Sequence, residues 1–350
     1  MGSLILKLTL FALFCPVTSA GPPYPPSPVI EKIVWAPAET IIRKASGSDN
    51  LPVTWADDDA IYVTWGDGWG FEPKVPKKLS MGFARIVGEP DDFKGINIRS
   101  SAEQLGDGRS GKKGWGLISI DGVLYLWIGH ADRQGGQAQL AWSGDHARTW
   151  TFADWKFPQF GLMGFVNFGK DNDKARDNFV YSYSHDCPLA DAPADRFILM
   201  RVPKNRIAER EAWEFFERMD QRGQPVWTSN VKLRGAVFQH ADGCLRSAMT
   251  YNPPLHRYLW WQQIPAPKGS SDRGDTRFEG GFGVYDAPEP WGPWSTAFYT
   301  EKWDVGPGEH GDFPAKWISE DGRELYLVFS GDDSFSIRKA TIVLKQDDQQ

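Results

Sequence analysis

Gly116-Leu-Ile-Ser-Ile120, Asp121-Gly122, Val123-Leu-Tyr-Leu-Trp127 places two β-rich stretches around a dipeptide suited to a tight hairpin turn. Glycine accepts positive φ without steric cost, which is what such a turn needs. The tyrosine near the start of the second strand has four counterparts: Ile61-Tyr62-Val63, Val180-Tyr181-Ser182, Arg257-Tyr258-Leu259 and Leu325-Tyr326-Leu327. Each follows another β-rich stretch, and a second Asp-Gly stands at Asp321-Gly322. The tyrosines lie 63, 56, 77 and 68 residues apart, a repeat with insertions of unequal length. A strand-and-turn unit repeated at this scale predicts an all-β chain, a five-bladed β-propeller rather than a solenoid.

Residues 1–20 read as a signal peptide: Lys7, the apolar run from Leu8 to Phe14, and the small residues Thr18-Ser19-Ala20. The run is too short to span a bilayer, so the expectation is a secreted or periplasmic protein with no membrane span. Without the signal, Cys187 and Cys244 remain, as a disulfide or as two buried thiols. A net charge of -6 shows no basic face and excludes a nucleic-acid partner. Seventeen tryptophans could fill blade cores or offer flat faces to sugar rings.

Residues 21–28, Gly-Pro-Pro-Tyr-Pro-Pro-Ser-Pro, form a proline-rich leader, and 29–345 a single propeller domain expected to be monomeric. Ile30–Trp35 and the stretch from Ser336 to Leu344 are the natural clasp closing the ring. Ile207 to Asp220 has helical composition and predicts one short helical insertion in the longest interval. Trp142 to Trp150 matches the turn pattern Ser-x-Asp-x-Gly-x-Thr-Trp, with Ala147 in the glycine position. Its Asp145 is therefore expected to be structural.

If each tyrosine marks the second strand of a blade, the residues leading into the first strand surround the channel mouth. Counting back gives Asp57 to Asp59, Lys112-Lys113 with Trp115, Asn167, Arg246, and Glu309-His310 with Asp312 and Lys316. Adjacent carboxylates suit acid/base chemistry, or oxygen ligands for a structural calcium ion; no other cofactor is expected. Glycoside hydrolysis needs two carboxyls flanking the scissile bond. The candidates are Asp58, Asp59 or Asp67 as nucleophile or base and Glu279, Glu309 or Asp312 as acid. Lys112, Lys113, Trp115, Asn167, Arg246, His310 and Lys316 are candidate substrate contacts, and the cations among them would suit an anionic glycan. The six histidines show no zinc spacing.

The segments Asp286 to Trp294, Thr64 to Phe71, Asn167-Phe-Gly169, Ala175-Arg-Asp177 and Phe329 to Asp333 resemble a family of exported bacterial five-bladed β-propeller proteins. That family is related to D-arabinan-degrading glycoside hydrolases. The resemblance implies a catalytic aspartate near the first blade's inner strand, which favours Asp58, Asp59 and Asp67. Asn167 and Arg246 depart from the related pattern, where acidic residues are expected. The leading expectation is a glycoside hydrolase acting on a polysaccharide or oligosaccharide. The alternatives are a lyase on a uronate-containing glycan, with His310 or a tyrosine as base, and a non-catalytic carbohydrate-binding propeller.

Overall fold

The computed structural model describes residues 21–265 and 280–346. The expected signal peptide and Glu279 lie outside the described residues. The chain is all-β. After β1 (Ile30–Trp35) and β2 (Ile42–Lys44), a first sheet is built from β3 (Val53–Trp55), β4 (Ile61–Trp65), β5 (Gly82–Val87) and β6 (Lys94–Ile98). A second contains β7 (Lys113–Ile120), β8 (Val123–Gly129), β9 (Gln139–Ser143) and β10 (Thr151–Phe152). The next holds β11 (Met163–Asn167), β12 (Phe179–His185), β13 (Ala194–Pro203), β14 (Glu214–Met219) and β15 (Pro225–Thr228), with β16 (Phe238–Cys244) on β13. Then come β17 (Ser247–Asn252), β18 (Arg257–Ile264), β19 (Gly281–Ala287) and β20 (Ser295–Thr300). Last are β21 (Gly311–Asp312), β22 (Glu324–Phe329) and β23 (Phe335–Leu344).

Within each group the strands pair antiparallel in chain order, and each of the five tyrosines lies in the second strand. Asp121 and Gly122 both have positive φ between the paired residues Ile120 and Val123, the two-residue turn expected there. Asp321-Gly322 differs: it closes a turn onto Ser319 within the longer connection between the paired β21 and β22. The terminal strands meet as expected, β1 pairing antiparallel with β23 through Ile33 and Ile342.

Apolar layers fill the space between successive groups. Trp127 and Phe165 share one such layer, and Phe197 and Trp260 the next. Trp65 and Phe71 pack with Val328 and Phe335, so the last group also covers the first. The first strands line the inside: β11 pairs parallel with β17 through Val166 and Met249, and β7 packs beside β3 and β11. Their starts face one end of the molecule and their finishes the other.

The expected helical insertion is corrected. The segment from Ile207 to Asp220 is not a helix; it forms a 3-10 turn at Arg210–Ala212 and then β14, whose Phe215 and Phe216 are both buried. Pairing with β13 and β15 overrides the local helix propensity. Cys187 and Cys244 are free thiols. The leader is docked rather than merely extended: Pro26 bridges Thr296, Tyr24 packs on Phe238 at 4.7 Å between ring centroids, and Ser27 Oγ donates to Asp286 at 3.0 Å. Asp145 accepts from Ser143 Oγ, Thr149 N and Thr149 Oγ1, and these bonds hold its carboxyl down at about 2. Among the described residues no helix is long and apolar enough to cross a membrane.

Candidate active site

The starts of the inner strands gather a charged cluster. Before β3 the chain turns sharply, with Ala45 and Asn50 in the left-handed region, and brings Asp49 into an antiparallel bridge with Gly66. The bridge needs a bare backbone on the far side. A Cβ on Gly66 would lie 2.6 Å from Asp49 Oδ1, and one on Gly68 would lie 2.2 Å from Ser48 Oγ. These glycines let Asp67 sit against the loop that carries Asp49.

The two carboxyls are held differently. Asp67 pairs with the buried Lys113 at the start of β7 and accepts from Gly108 N at 3.3 Å. Asp49 receives Asn50 Nδ2 and has no cation within ion-pair distance among the described residues. Burial raises its carboxyl to about 7, and the negative charge of Glu309 adds to the rise. Lys113 opposes that rise, Asp67 adds to it, and Arg246 opposes it. Such a pair presents one carboxyl able to carry a proton near neutrality beside one ion-paired to a lysine.

Arg246, just before β17, links two further acids: its Nη1 lies 3.3 Å from Glu309 Oε1 and its Nη2 3.0 Å from Asp191 Oδ1. Its guanidinium sits 5.6 Å from the ring of Trp115, which is itself buried. Arg109 adds a weaker contact to Asp191 at 3.7 Å. Three buried histidines complete the surroundings. Burial lowers His185 to about 4 and, with the nearby Arg246 charge, His310 to about 3; it also lowers His130, against the pull of Asp191. Each is neutral at physiological pH, and each has one ring nitrogen without a hydrogen-bond partner among the described residues.

Counting back from the tyrosines located Lys113, Arg246, Glu309 and His310 at this mouth, with Asp67 close by. It misplaced others. Asp58 and Asp59 belong to the turn joining β3 to β4, at the finishing end. There Asp58 accepts from Ala60 N and Tyr62 OH, while Asp59 pairs with Lys316 at 2.8 Å and Lys170 at 3.5 Å. Six residues separate Lys113 from Ser119 along β7, about 20 Å of extended chain, which measures how far apart the two ends stand.

Asn167 and Asp312 are buried on the inner strands β11 and β21. Asn167 accepts from Thr54 Oγ1 at 2.8 Å and donates to Leu117 O. Asp312 accepts from Thr250 Oγ1 at 3.1 Å and from the backbone N–H groups of Val53 and Phe313. Burial pushes its carboxyl up to about 7. Lys112 turns away from the mouth, toward Gln139 and the Phe152 ring. Asp57, Asp58 and His146 at the finishing end are the one group among the described residues whose ligand atoms are close enough to share a metal ion. His146 is already bonded to Asp57 at 2.9 Å and Asp58 to Tyr62.

The sequence count missed Asp49, Asp191 and His130. A signal for Asp49 was present: Val53 to Trp55 is itself β-rich, so the residues leading into it are Asp49-Asn50.

No family model and no curated protein sequence matches the chain. Solved structures do. A β-xylosidase termed RS223 is 12% identical, with a TM-score of 0.48 over 89% of this chain and 97% of that one. The GH43_1 enzyme from Xanthomonas citri is 13% identical, at 0.48 over 89% and 93%. The catalytic domain of the Coprinopsis cinerea GH62 alpha-L-arabinofuranosidase is 10% identical, at 0.47 over 90% and 95%.

Proposed function

We propose that the chain is an exported five-bladed β-propeller glycoside hydrolase that cleaves a glycan at the mouth where the inner strands begin. The observation that carries this reading is the pairing of Asp49, raised to about 7, with Asp67, ion-paired to Lys113 on the facing loop. Hydrolysis of a glycosidic bond requires one carboxyl to protonate the leaving oxygen and a second to act as base or nucleophile on the other side. Asp49 is the acid because it keeps its proton near neutrality. Asp67 is the base or nucleophile because its carboxyl is ion-paired to Lys113 and accepts from the Gly108 N–H. Glu309 supports Asp49's proton through its charge and is itself held by Arg246.

The ion pairs weigh against a lyase. Neutralising a uronate carboxylate needs a free cation, whereas Lys113 is committed to Asp67, and Arg246 to Asp191 and Glu309. The substrate that fits is an uncharged glycan.

The test is reducing-sugar release from neutral pentosans, arabinan and xylan, by the wild-type chain and by Asp49→Asn. Hydrolysis reduced about a thousandfold in the folded variant supports the assignment. Equal hydrolysis by both chains removes Asp49 from the mechanism. Absence of hydrolysis, with ultraviolet-absorbing products from a uronan instead, overturns the reading in favour of elimination.

A further inference from the structure

The turn between Ser143 and Trp150 does more than join β9 to β10. With His146 and Ala147 both in the left-handed region, it reaches over one face of the first sheet. The His146 ring stacks on Tyr62 at 5.7 Å and 15°, and Trp150 packs on Phe83 at 5.2 Å between ring centroids. On that face Tyr62, Arg85 and Ile96 stand side by side across β4, β5 and β6. Between the turn and the face lies a cleft of about 340 Å³, walled by Asp58, Arg85, Ile96, Arg99, His146 and Arg148 among others. It sits at the finishing end, away from the mouth, and its size is that of a small-molecule site.

The charges in the cleft do not cancel. Arg99 is committed to Glu103, Nε to Oε1 at 2.7 Å and Nη2 to Oε2 at 2.8 Å, and His146 to Asp57 at 2.9 Å. Arg148 donates to the Asp145 carbonyl at 3.1 Å, and neither it nor Arg85 has a carboxylate partner among the described residues. Against these two guanidiniums stands one carboxylate, Asp58, which accepts from Tyr62 OH at 2.9 Å and Ala60 N at 3.1 Å. Two cations against one anion leave one positive charge, on a chain whose net charge is -6. A single carboxylate offsets that charge, whereas a divalent phosphate or inorganic sulfate would bring an excess of negative charge up to Asp58. Beside Arg85, Ile96 is 40% exposed and supplies an apolar surface.

We propose that this cleft binds a sugar acid, a uronate ring of an acidic glycan, with its carboxylate received by Arg85 and Arg148 and its apolar face on Ile96. Guanidinium donors match a carboxylate in geometry as well as in charge. The choice of a sugar over an acidic peptide rests on the hydrolase reading; the anion site does not. The uncharged ring at the mouth is unaffected, because the two places lie at opposite ends of the inner strands.

Binding of trigalacturonate, its methyl ester, triglutamate and inorganic sulfate is measured by calorimetry, with reducing-sugar release from arabinan and xylan followed alongside. The variants are Arg85→Ala, Arg85→Lys, Arg148→Ala and, at the mouth, Arg109→Ala, with thermal melting as the folding control. The wild type should bind trigalacturonate and not the ester. Arg85→Ala and Arg148→Ala should each weaken that binding about tenfold, which corresponds to about 1.4 kcal/mol. Arg85→Lys should recover part of it, since it keeps the charge and loses the fork. Turnover of the neutral polymers by the Arg85 and Arg148 variants should stay within about twofold of wild type. The cleft is overturned if trigalacturonate does not bind, if the ester binds equally, if Arg85→Ala binds as the wild type does, or if the loss follows Arg109→Ala instead. Tighter binding of sulfate overturns the match to a carboxylate, and equal binding of triglutamate overturns the choice of a sugar. Trigalacturonate binding that depends on Arg85, in a chain that cleaves neither neutral polymer, leaves the cleft standing while the hydrolase reading fails.

Discussion

Asp312 is a sequence candidate for the catalytic acid, and its hydrogen bonds to Thr250 of β17 and Val53 of β3 make it a tie between inner strands. The informative perturbation is Asp312→Asn, which keeps the shape and an acceptor for Thr250 Oγ1 but cannot titrate. Burial raises the wild-type carboxyl from an ordinary 3.8 to about 7, so the folded chain retains a proton that the unfolded chain releases. Wild-type stability from this group is therefore fully present below about pH 4. It declines as pH climbs toward 7 and is flat above that. A shift of about three units at 1.36 kcal/mol per unit gives a decline of up to about 4 kcal/mol. The variant lacks that decline. The difference in unfolding free energy, variant minus wild type, should grow by a large part of that amount between pH 4.5 and pH 8. Urea unfolding followed by tryptophan fluorescence at the two pH values reads it directly, and comparing the two chains cancels the parallel titration of Asp49. Turnover at pH 7 should stay within about twofold. A pH-independent difference would refute the buried-proton argument, and a folded variant without activity would restore Asp312 as a catalytic candidate.

Other outcomes follow from the same contacts. Glu309→Gln removes a negative charge that raises Asp49, so the alkaline limb of kcat/KM should move to lower pH; a limb that stays in place or moves upward counts against the coupling. Asp59→Asn breaks exposed pairs with Lys316 and Lys170 at the far end, and should cost less than about 1 kcal/mol by chemical unfolding while leaving hydrolysis unchanged. Tyr24→Ala uncovers Phe238 and Tyr285, which should lower stability by about 2 kcal/mol in urea unfolding without altering KM.

The repeat was legible because a hairpin is a local event. The Asp121-Gly122 turn and the tyrosine after it are fixed by neighbours in sequence, and the same logic located all five second strands. The error at Asp57 to Asp59 arose from not applying that logic to the first copy, where the carboxylates occupy the place of Asp121-Gly122 and are a turn. Asp191 could not have been found this way. It lies in the loop between β12 and β13, and the pairing of β13 with β16, Ala194 against Cys244, brings it to Arg246. The segment from Ile207 to Asp220 was misread because its alanine and glutamate content reflects helix propensity, whereas its conformation is set by the strands on either side.

Pairing decides what a mixed-charge mouth can do. Lysine, arginine and carboxylates at one opening could serve a uronate, a phosphate or a neutral sugar. Lys113 neutralises Asp67, and Arg246 is divided between Asp191 and Glu309. Burial, Glu309 and Asp67 raise the proton affinity of Asp49 against the opposing pull of Lys113 and Arg246, and three neutral histidines add no charge. A substrate carboxylate entering there would meet Asp49, Asp67 and Glu309 while Lys113 and Arg246 are already ion-paired, and the exposed Arg109 would offset the repulsion only in part. An uncharged ring meets no such repulsion. On the proposed reading the mouth moves a proton at a neutral acetal, with Lys113 and Arg246 serving as partners of the carboxyls.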